Sequence, residues 1–500
     1  MKLTKGQEYE GIVTEVVFPN KTVVEIESDD KKGILVESKG GIPGQRVRIL
    51  VTKIRHGKPE GRILSVVCPS KDEIEGGCPH AGECGGCAYQ TLPYEKQLEL
   101  KEEQMRKIFT PFFERQKSLG YSGIEVFSGV QGSPVNKAYR NKMEFSFGDA
   151  YKDGPLALGM HKKGSFYDIL DVPECAIVDE DYHKILTTVL DFCKSNGWKF
   201  YHKLRHEGYL RHLLVRKAVR TGEILVAIVT TTQENHDVEL KELADKLASL
   251  EYKGKMSGIL HTRNDSLADV VQSDETNILY GQDYFYEEIL GLKFKITEFS
   301  FFQTNSLGAE VLYNVARDFI GEVKKNNGEK PVLFDLYSGT GTIAQMMAPV
   351  ASKVVGVEIV EEAVLAAKEN AALNGIDNCE FLAGDVLKVI DSIIDKPDFI
   401  ILDPPRDGIH PKALPKIIAY GVDRMVYISC KPTSLARDLE VFLDNGYVVE
   451  KMRCVDMFPG TVHVESVCLL SNRKADSHIK LSLDMDEYYD IIEKEQAENK

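Results

Sequence analysis

Two short apolar runs end abruptly in side chains fit for chemistry: Phe399-Ile-Ile-Leu runs into Asp403-Pro-Pro-Arg406, and Met425-Val-Tyr-Ile-Ser into Cys430-Lys-Pro. A buried parallel strand reads as such a run, and the residue after it reaches the carboxyl edge of the sheet, where open α/β folds bind their ligands. Asp403 and Cys430 are therefore expected side by side at one edge, a carboxylate to orient a substrate and a thiol to attack it. A free cysteine taken alone is more often a small buried hydrophobe, and such an aspartate a turn cap. The company these two keep decides between the readings.

Three further strand ends fall into the same series. Val332-Leu-Phe-Asp-Leu-Tyr337-Ser-Gly339-Thr-Gly341 reads as strand, tight glycine turn and helix start, Lys353 to Glu358 as a strand ending on an acid, and Cys379 to Asp385 as another. This β/α alternation predicts a doubly wound sheet. Gly339-x-Gly341 followed by Ile343-Ala344 fits a dinucleotide fingerprint poorly and suits S-adenosylmethionine, which has no pyrophosphate to cradle. Glu358 is placed to hold ribose hydroxyls and Asp385 to reach the adenine amine.

A second cluster is Cys78-Pro-His-Ala-Gly-Glu-Cys84-Gly-Gly-Cys87. Three thiols in one glycine-rich loop need a single further ligand to hold an iron–sulfur cluster, with zinc as the other candidate. Cys175 is favoured as that ligand over Cys68, while Cys193 lies on the apolar phase of a helix. A Cys84/Cys87 redox pair would leave Cys78 idle.

Around these sites the chain divides. Residues 1–67 alternate apolar and polar with frequent turns, which predicts a small antiparallel barrel, and residues 2–67 carry a surplus of cations in a chain whose net charge is −15. Residues 68–92 with 123–297 read as a mixed α/β domain bearing the cysteine loop. Its Tyr139-Arg140-Asn141-Lys142 and His161-Lys162-Lys163 stretches set cations beside aromatics, as RNA contact requires. Residues 298–475 form the doubly wound domain, and 476–500 an acidic tail. The polar N-terminus and the lack of a long apolar run lead us to expect a cytoplasmic, membrane-free monomer.

Taken together these residues resemble the class I S-adenosylmethionine-dependent RNA uracil-5-methyltransferases with an N-terminal TRAM domain, an OB-like RNA-binding barrel, and an iron–sulfur cluster. The resemblance spans residues 1–475. It implies a [4Fe–4S] site at Cys78, Cys84, Cys87 and Cys175, cofactor or substrate contacts from Gln303, Tyr337, Gly339, Glu358, Asp385 and Asp403, Cys430 as nucleophile and Glu465 as base, with His463 its competitor. It further implies that residues 93–122 fold back onto the catalytic domain and that 23S ribosomal RNA, rather than transfer RNA, is the substrate. The sequence has Lys431 and Ser338 where the family commonly has Asn and Cys; Lys431 and the following helix start are expected to lower the thiol pKa. An amino-methyltransferase would set an aromatic where Arg406 stands and would need no cysteine. A non-catalytic RNA-binding iron–sulfur protein would leave Cys430 and the cofactor strand ends without a role.

Overall fold

The computed structural model describes residues 3–27, 33–75, 77–268, 273–321 and 329–473. The acidic tail lies outside them. Strands β1 (Glu8–Val17), β2 (Lys21–Ile26), β3 (Ile34–Lys39), β4 (Arg46–Arg55) and β5 (Lys58–Cys68) close into a barrel in the order β1-β2-β3-β5-β4. Alternation sends Val24, Val36, Val47, Ile49 and Val51 into its interior.

Helix α1 (Tyr94–Ser118) then leaves the barrel and packs along the far end of the chain. It continues through Pro111, beyond the Phe109 boundary that periodicity indicated, and Thr110 Oγ1 donates to the Arg106 carbonyl at 2.7 Å beside the break. Its apolar face, Met105, Phe109, Phe112 and Phe113, is buried in the core of the doubly wound domain. Gln116 clasps Val449 through both of its backbone groups, accepting from the amide at 2.8 Å and donating to the carbonyl at 3.1 Å. Toward its start, Gln104 donates to Val16 O of the barrel.

Strand β6 (Phe127–Gln131) corrects the sequence reading, which gave residues 123–297 to the central domain. It pairs in parallel with β21 (Tyr447–Val455) as the outer strand of the large sheet. Its partner lies more than three hundred residues downstream, which local pattern cannot reveal. The central sheet has seven strands in the order β13-β12-β11-β10-β7-β8-β9, from β7 (Lys142–Asp149), β8 (Leu156–His161), β9 (Ile169–Asp171), β10 (Leu210–Lys217), β11 (Glu223–Thr230), β12 (Lys255–Arg263) and β13 (Glu275–Gly281). Helices α2 (Glu180–Ser195) and α3 (Asp237–Ala248) share its apolar core. A hairpin, β14 (Tyr284–Ile289) and β15 (Leu292–Thr297), lays Phe285, Phe294 and Ile296 into the same core as helix α4 (Ser306–Ile320).

The large sheet runs β18-β17-β16-β19-β20-β22-β21-β6. Strands β16 (Val332–Leu336), β17 (Lys353–Glu358), β18 (Cys379–Ala383), β19 (Phe399–Leu402) and β20 (Arg424–Ser429) are mutually parallel, and β22 (Glu465–Asn472) is antiparallel to β20. That reversal brings the start of β22 to the edge where the five parallel strands end. No helix among the described residues is long and apolar enough to cross a membrane.

Candidate active site

Asp403 follows β19 and Cys430 follows β20, so the two strand ends lie adjacent, as their runs indicated. Pairing of Ser429 with Ser466 sets Glu465, the first residue of β22, beside Cys430. Helix α5 (Pro432–Asp444) starts immediately after Cys430, with Lys431 as its N-cap. The loop that carries Arg406 is fastened over it: Ser434 Oγ donates to Arg406 O at 2.9 Å, and buried Asp438 accepts from Ile409 N at 2.9 Å and from the Tyr427 hydroxyl at 2.7 Å. Gln303 reaches the site from the turn before α4 and hydrogen-bonds the Tyr313 hydroxyl.

The electrostatics differ from the sequence expectation. Burial pushes the Cys430 thiol up to about 11, and Glu465 and Asp403 push the same way against Arg406. Lys431 does not lower it: its ammonium turns away to Asp407, 3.8 Å distant. Arg406 is the cation at this thiol. Burial and then Asp403 raise Glu465 to about 8, opposed by Arg406, while burial and then Glu358 raise Asp403 to about 7. Glu465 is 5 % exposed, whereas Asp403 is only half-buried, so water tempers the rise at Asp403 alone. The site thus holds a protonated thiol flanked by carboxyls poised near neutrality. His463, lowered chiefly by burial and next by Arg406, accepts from the Lys101 ammonium through its own carbonyl and lies just before β22 rather than in it.

The glycine turn after β16 is built for close approach. Tyr337, Gly339 and Gly341 all have positive φ, and a Cβ on Gly341 would meet the Phe381 ring at 2.7 Å. Glu358 accepts from Gly339 N and Val360 N, both at 3.0 Å, which binds the acid to the turn it faces. Asp385 accepts from Leu387 N at 2.9 Å and thereby caps the short helix Val386–Val389.

The four cysteines Cys78, Cys84, Cys87 and Cys175 line one cavity together with His80, Met143 and Met160. Burial raises Cys87 to about 12, with Cys175, Cys84 and Cys78 adding to it, and Cys175 to about 11. Among the described residues no three His, Cys, Asp or Glu side chains are gathered to hold a metal ion. Cys68 is exposed at the end of β5 and Cys193 is buried in the central core. The cavity wall is tied to the active site. Gly460 O accepts from Ala88 N and Tyr89 N, both at 2.9 Å, and Gly460 N donates to Gln97 of α1 at 2.7 Å. Lys101, fully buried, adds bonds to Asp456 at 2.7 Å, Phe458 O at 3.3 Å and His463 O at 3.2 Å.

Residues 93–473 match the family described as tRNA (Uracil-5-)-methyltransferase. The chain belongs to this family. An uncharacterized RNA methyltransferase of Clostridium tetani is 50% identical over 467 residues, covering 93% of this chain and 98% of the relative. One from Clostridium acetobutylicum is 48% identical over 474 residues, covering 95% and 100%. The solved tRNA (uracil-54, C5)-methyltransferase of Pyrococcus abyssi, in complex with S-adenosyl-L-homocysteine, shares the fold with TM-score 0.69 and 24% identity over 92% of this chain and 100% of that one.

As a member of the tRNA (uracil-5-)-methyltransferase family the protein is an S-adenosylmethionine-dependent RNA methyltransferase acting on uracil C5. Strand β16 carries a buried acid that the motif comparison included without giving it a role. Asp335 is 1 % exposed in β16, and neither carboxylate oxygen finds a hydrogen-bond partner of ordinary geometry among the described residues. Burial, then Asp403, push it up to about 8, with the Ala344 amide pulling the other way. The signal was there in Val-Leu-Phe-Asp335-Leu, where one acid interrupts an apolar strand. Tyr313 left no such mark, since it reads as one more core residue of α4.

Proposed function

We propose that the protein methylates C5 of a specific uridine in 23S ribosomal RNA through a transient bond between Cys430 and C6 of the uracil. The observation that supports this reading is the Ser429–Ser466 pairing, which sets a thiol and a raised carboxyl side by side at the edge lined by Asp403, Glu358 and the glycine turn. C5 of uracil is a weak nucleophile, and a thiolate adding at C6 makes it an enolate carbon. The cysteine must lose its proton as the S–C6 bond forms. Asp403, raised to about 7 where Glu465 is raised to about 8, is the acceptor. S-adenosylmethionine supplies the electrophilic methyl group when bound. Glu465 then removes the C5 proton, and the electron pair left behind restores the C5–C6 double bond as the Cys430 sulfur departs. Gln303 holds the uracil edge.

The cofactor fits the residues present. The Gly339 turn approaches without a side chain, Glu358 faces it for the ribose, Asp385 lies at the next strand end for the adenine, Tyr337 packs beside them, and Asp335 offers unpartnered oxygens for the amino-acid end. We further propose that Cys78, Cys84, Cys87 and Cys175 hold a [4Fe–4S] cluster; their common cavity supports this. Iron and acid-labile sulfide measured on anaerobically purified protein, and their loss in Cys175→Ser, test it. The closed barrel supports reading residues 1–67 as a TRAM domain. In the proposed division the central residues 68–92 and 132–297 deliver RNA to the catalytic domain, which takes in the outer strand Phe127–Gln131 with residues 93–122 and 298–475.

The decisive experiment uses RNA containing 5-fluorouridine, whose C5 fluorine cannot leave as a proton does. A denaturation-resistant complex formed by the unaltered protein and absent in Cys430→Ala supports the mechanism; methyl transfer by Cys430→Ala overturns it. Mass mapping of 5-methyluridine in RNA from a strain lacking the gene distinguishes ribosomal from transfer RNA as substrate.

A further inference from the structure

The turn after β8 displays an aromatic surface that the active site does not use. Phe166 is 65 % exposed and Tyr167 52 %, although both sit on an ordered loop. Lys162 N donates to Asp168 O at 2.9 Å, and Ser165 Oγ accepts from Asp168 N at 3.1 Å, so the turn is closed on itself. Its base is paired to the cysteine loop, with Gly85 N donating to His161 O at 2.9 Å and Lys163 N to Glu83 O at 2.7 Å. His161 stacks on Phe166 at 6.1 Å with planes 21° apart, and Tyr167 meets its edge at 5.3 Å. From a separate turn, Lys203 sets its ammonium 5.2 Å from the Phe166 centroid.

A large exposed ring costs solvation, and a core role does not account for it, because these rings face outward. The arrangement is what an unpaired nucleobase requires: a braced π-face, a second ring as a wall, and cations for the adjoining phosphates. Lys163 lies in the same turn and Lys203 reaches the ring from another, with Asp168 the acid beside them, in a chain whose net charge is −15. A strongly acidic protein that gathers cations around exposed rings is matched in charge to a polyanion there.

We propose that Phe166, braced by His161 and Tyr167, is a stacking platform for an unpaired base of the substrate RNA, outside the catalytic pocket, with Lys203 meeting a neighbouring phosphate. The platform rests on the reading of RNA as substrate. Because its turn is bonded to the cysteine loop, the base held there is registered against the part of the fold that also grips Gly460 near the active site.

The test measures fluorescence anisotropy of the full-length protein with a short single-stranded oligouridylate and with a duplex of equal length. Phe166→Ala is expected to weaken single-strand binding by about 5- to 100-fold, the range found when one base–aromatic stack is removed. Phe166→Trp restores it, and duplex binding is unmoved. Photocrosslinking of 5-iodouridine-substituted strand to the peptide containing Phe166 and Tyr167 is expected as well. Single-strand binding by Phe166→Ala within about twofold of the unaltered protein, or equal losses on single strand and duplex, overturns the platform. Methyl transfer by the unaltered protein to RNA from a strain lacking the gene is scored in parallel; its absence strikes at the RNA substrate, whereas its presence with an indifferent Phe166 strikes at the platform alone.

Discussion

Cys430 and Glu465 set the pH behaviour of the reaction. With Glu465 at about 8 it is protonated at neutral pH in the free enzyme and becomes a base only as pH rises. Steady-state turnover, measured as kcat at saturating RNA, is therefore expected to climb from pH 6.5 through about 8. Glu465→Gln cannot remove the C5 proton, so it is expected to accumulate a covalent complex with ordinary uridine RNA, visible as a shifted band on denaturing gels. Stability runs the opposite way. A carboxyl raised in the fold above its unfolded value binds protons that the unfolded chain has released, so its favourable contribution is complete below about pH 4.5 and is lost as pH rises through about 8. Asp335→Asn and Glu465→Gln are each expected to be more stable than the unaltered protein at pH 8, on the order of 1–2 kcal/mol, and closer to it at pH 5, read from thermal melts. At this scale the sequence was informative where an apolar run broke on a reactive side chain, as at Asp403 and Cys430. It misled at Lys431, because adjacency along the chain says nothing of which way a long side chain turns, and Arg406 supplies the charge instead.

Elements carry these residues to their places, and α1 does so from the other end of the chain. Read from sequence, Lys101 had no role, one cation among several in a Glu- and Lys-rich helix. It is fully buried and holds Asp456, Phe458 O and His463 O at once. Only the long-range docking of α1 makes that so. Lys101→Met would leave the buried Asp456 carboxyl without its partner, a loss of about 3–5 kcal/mol by urea unfolding. Residual activity should fall further than stability alone accounts for, because the segment that leads into Glu465 is released; Lys101→Arg is expected to recover part of both. The glycine turn was legible as a motif, and its necessity is steric. Gly341→Ala pairs a positive φ with a Cβ 2.7 Å from Phe381, so weaker S-adenosylmethionine binding by calorimetry and a lower melting temperature are both expected.

At the scale of the whole molecule, the alternation of strands and helices from 332 to 430 announced the doubly wound sheet, and short alternating strands announced the barrel. The fold-back of residues 93–122 came only from the family resemblance, and the outer strand that follows them stayed hidden. Residues 94–131 contribute a helix and an outer strand to a sheet whose other strands lie beyond residue 331, and the central sheet is spliced between them. Neither Phe127–Gln131 nor α1 carries any mark of a partner so far away. Residues 298–473 expressed alone should accordingly aggregate, since β21 would present an unpaired edge and the apolar faces that receive Phe109, Phe112 and Phe113 would be bare. Light scattering of that fragment against one extended to begin at residue 93 checks this. The same splice bears on biosynthesis. During translation α1 and Phe127–Gln131 leave the ribosome long before the strands they complete, so the nascent chain must finish its inserted domain while carrying an unclosed seam. Closure waits for Tyr447–Val455, and Glu465 emerges only ten residues after that strand's last residue; an unfinished polypeptide therefore cannot begin to modify RNA.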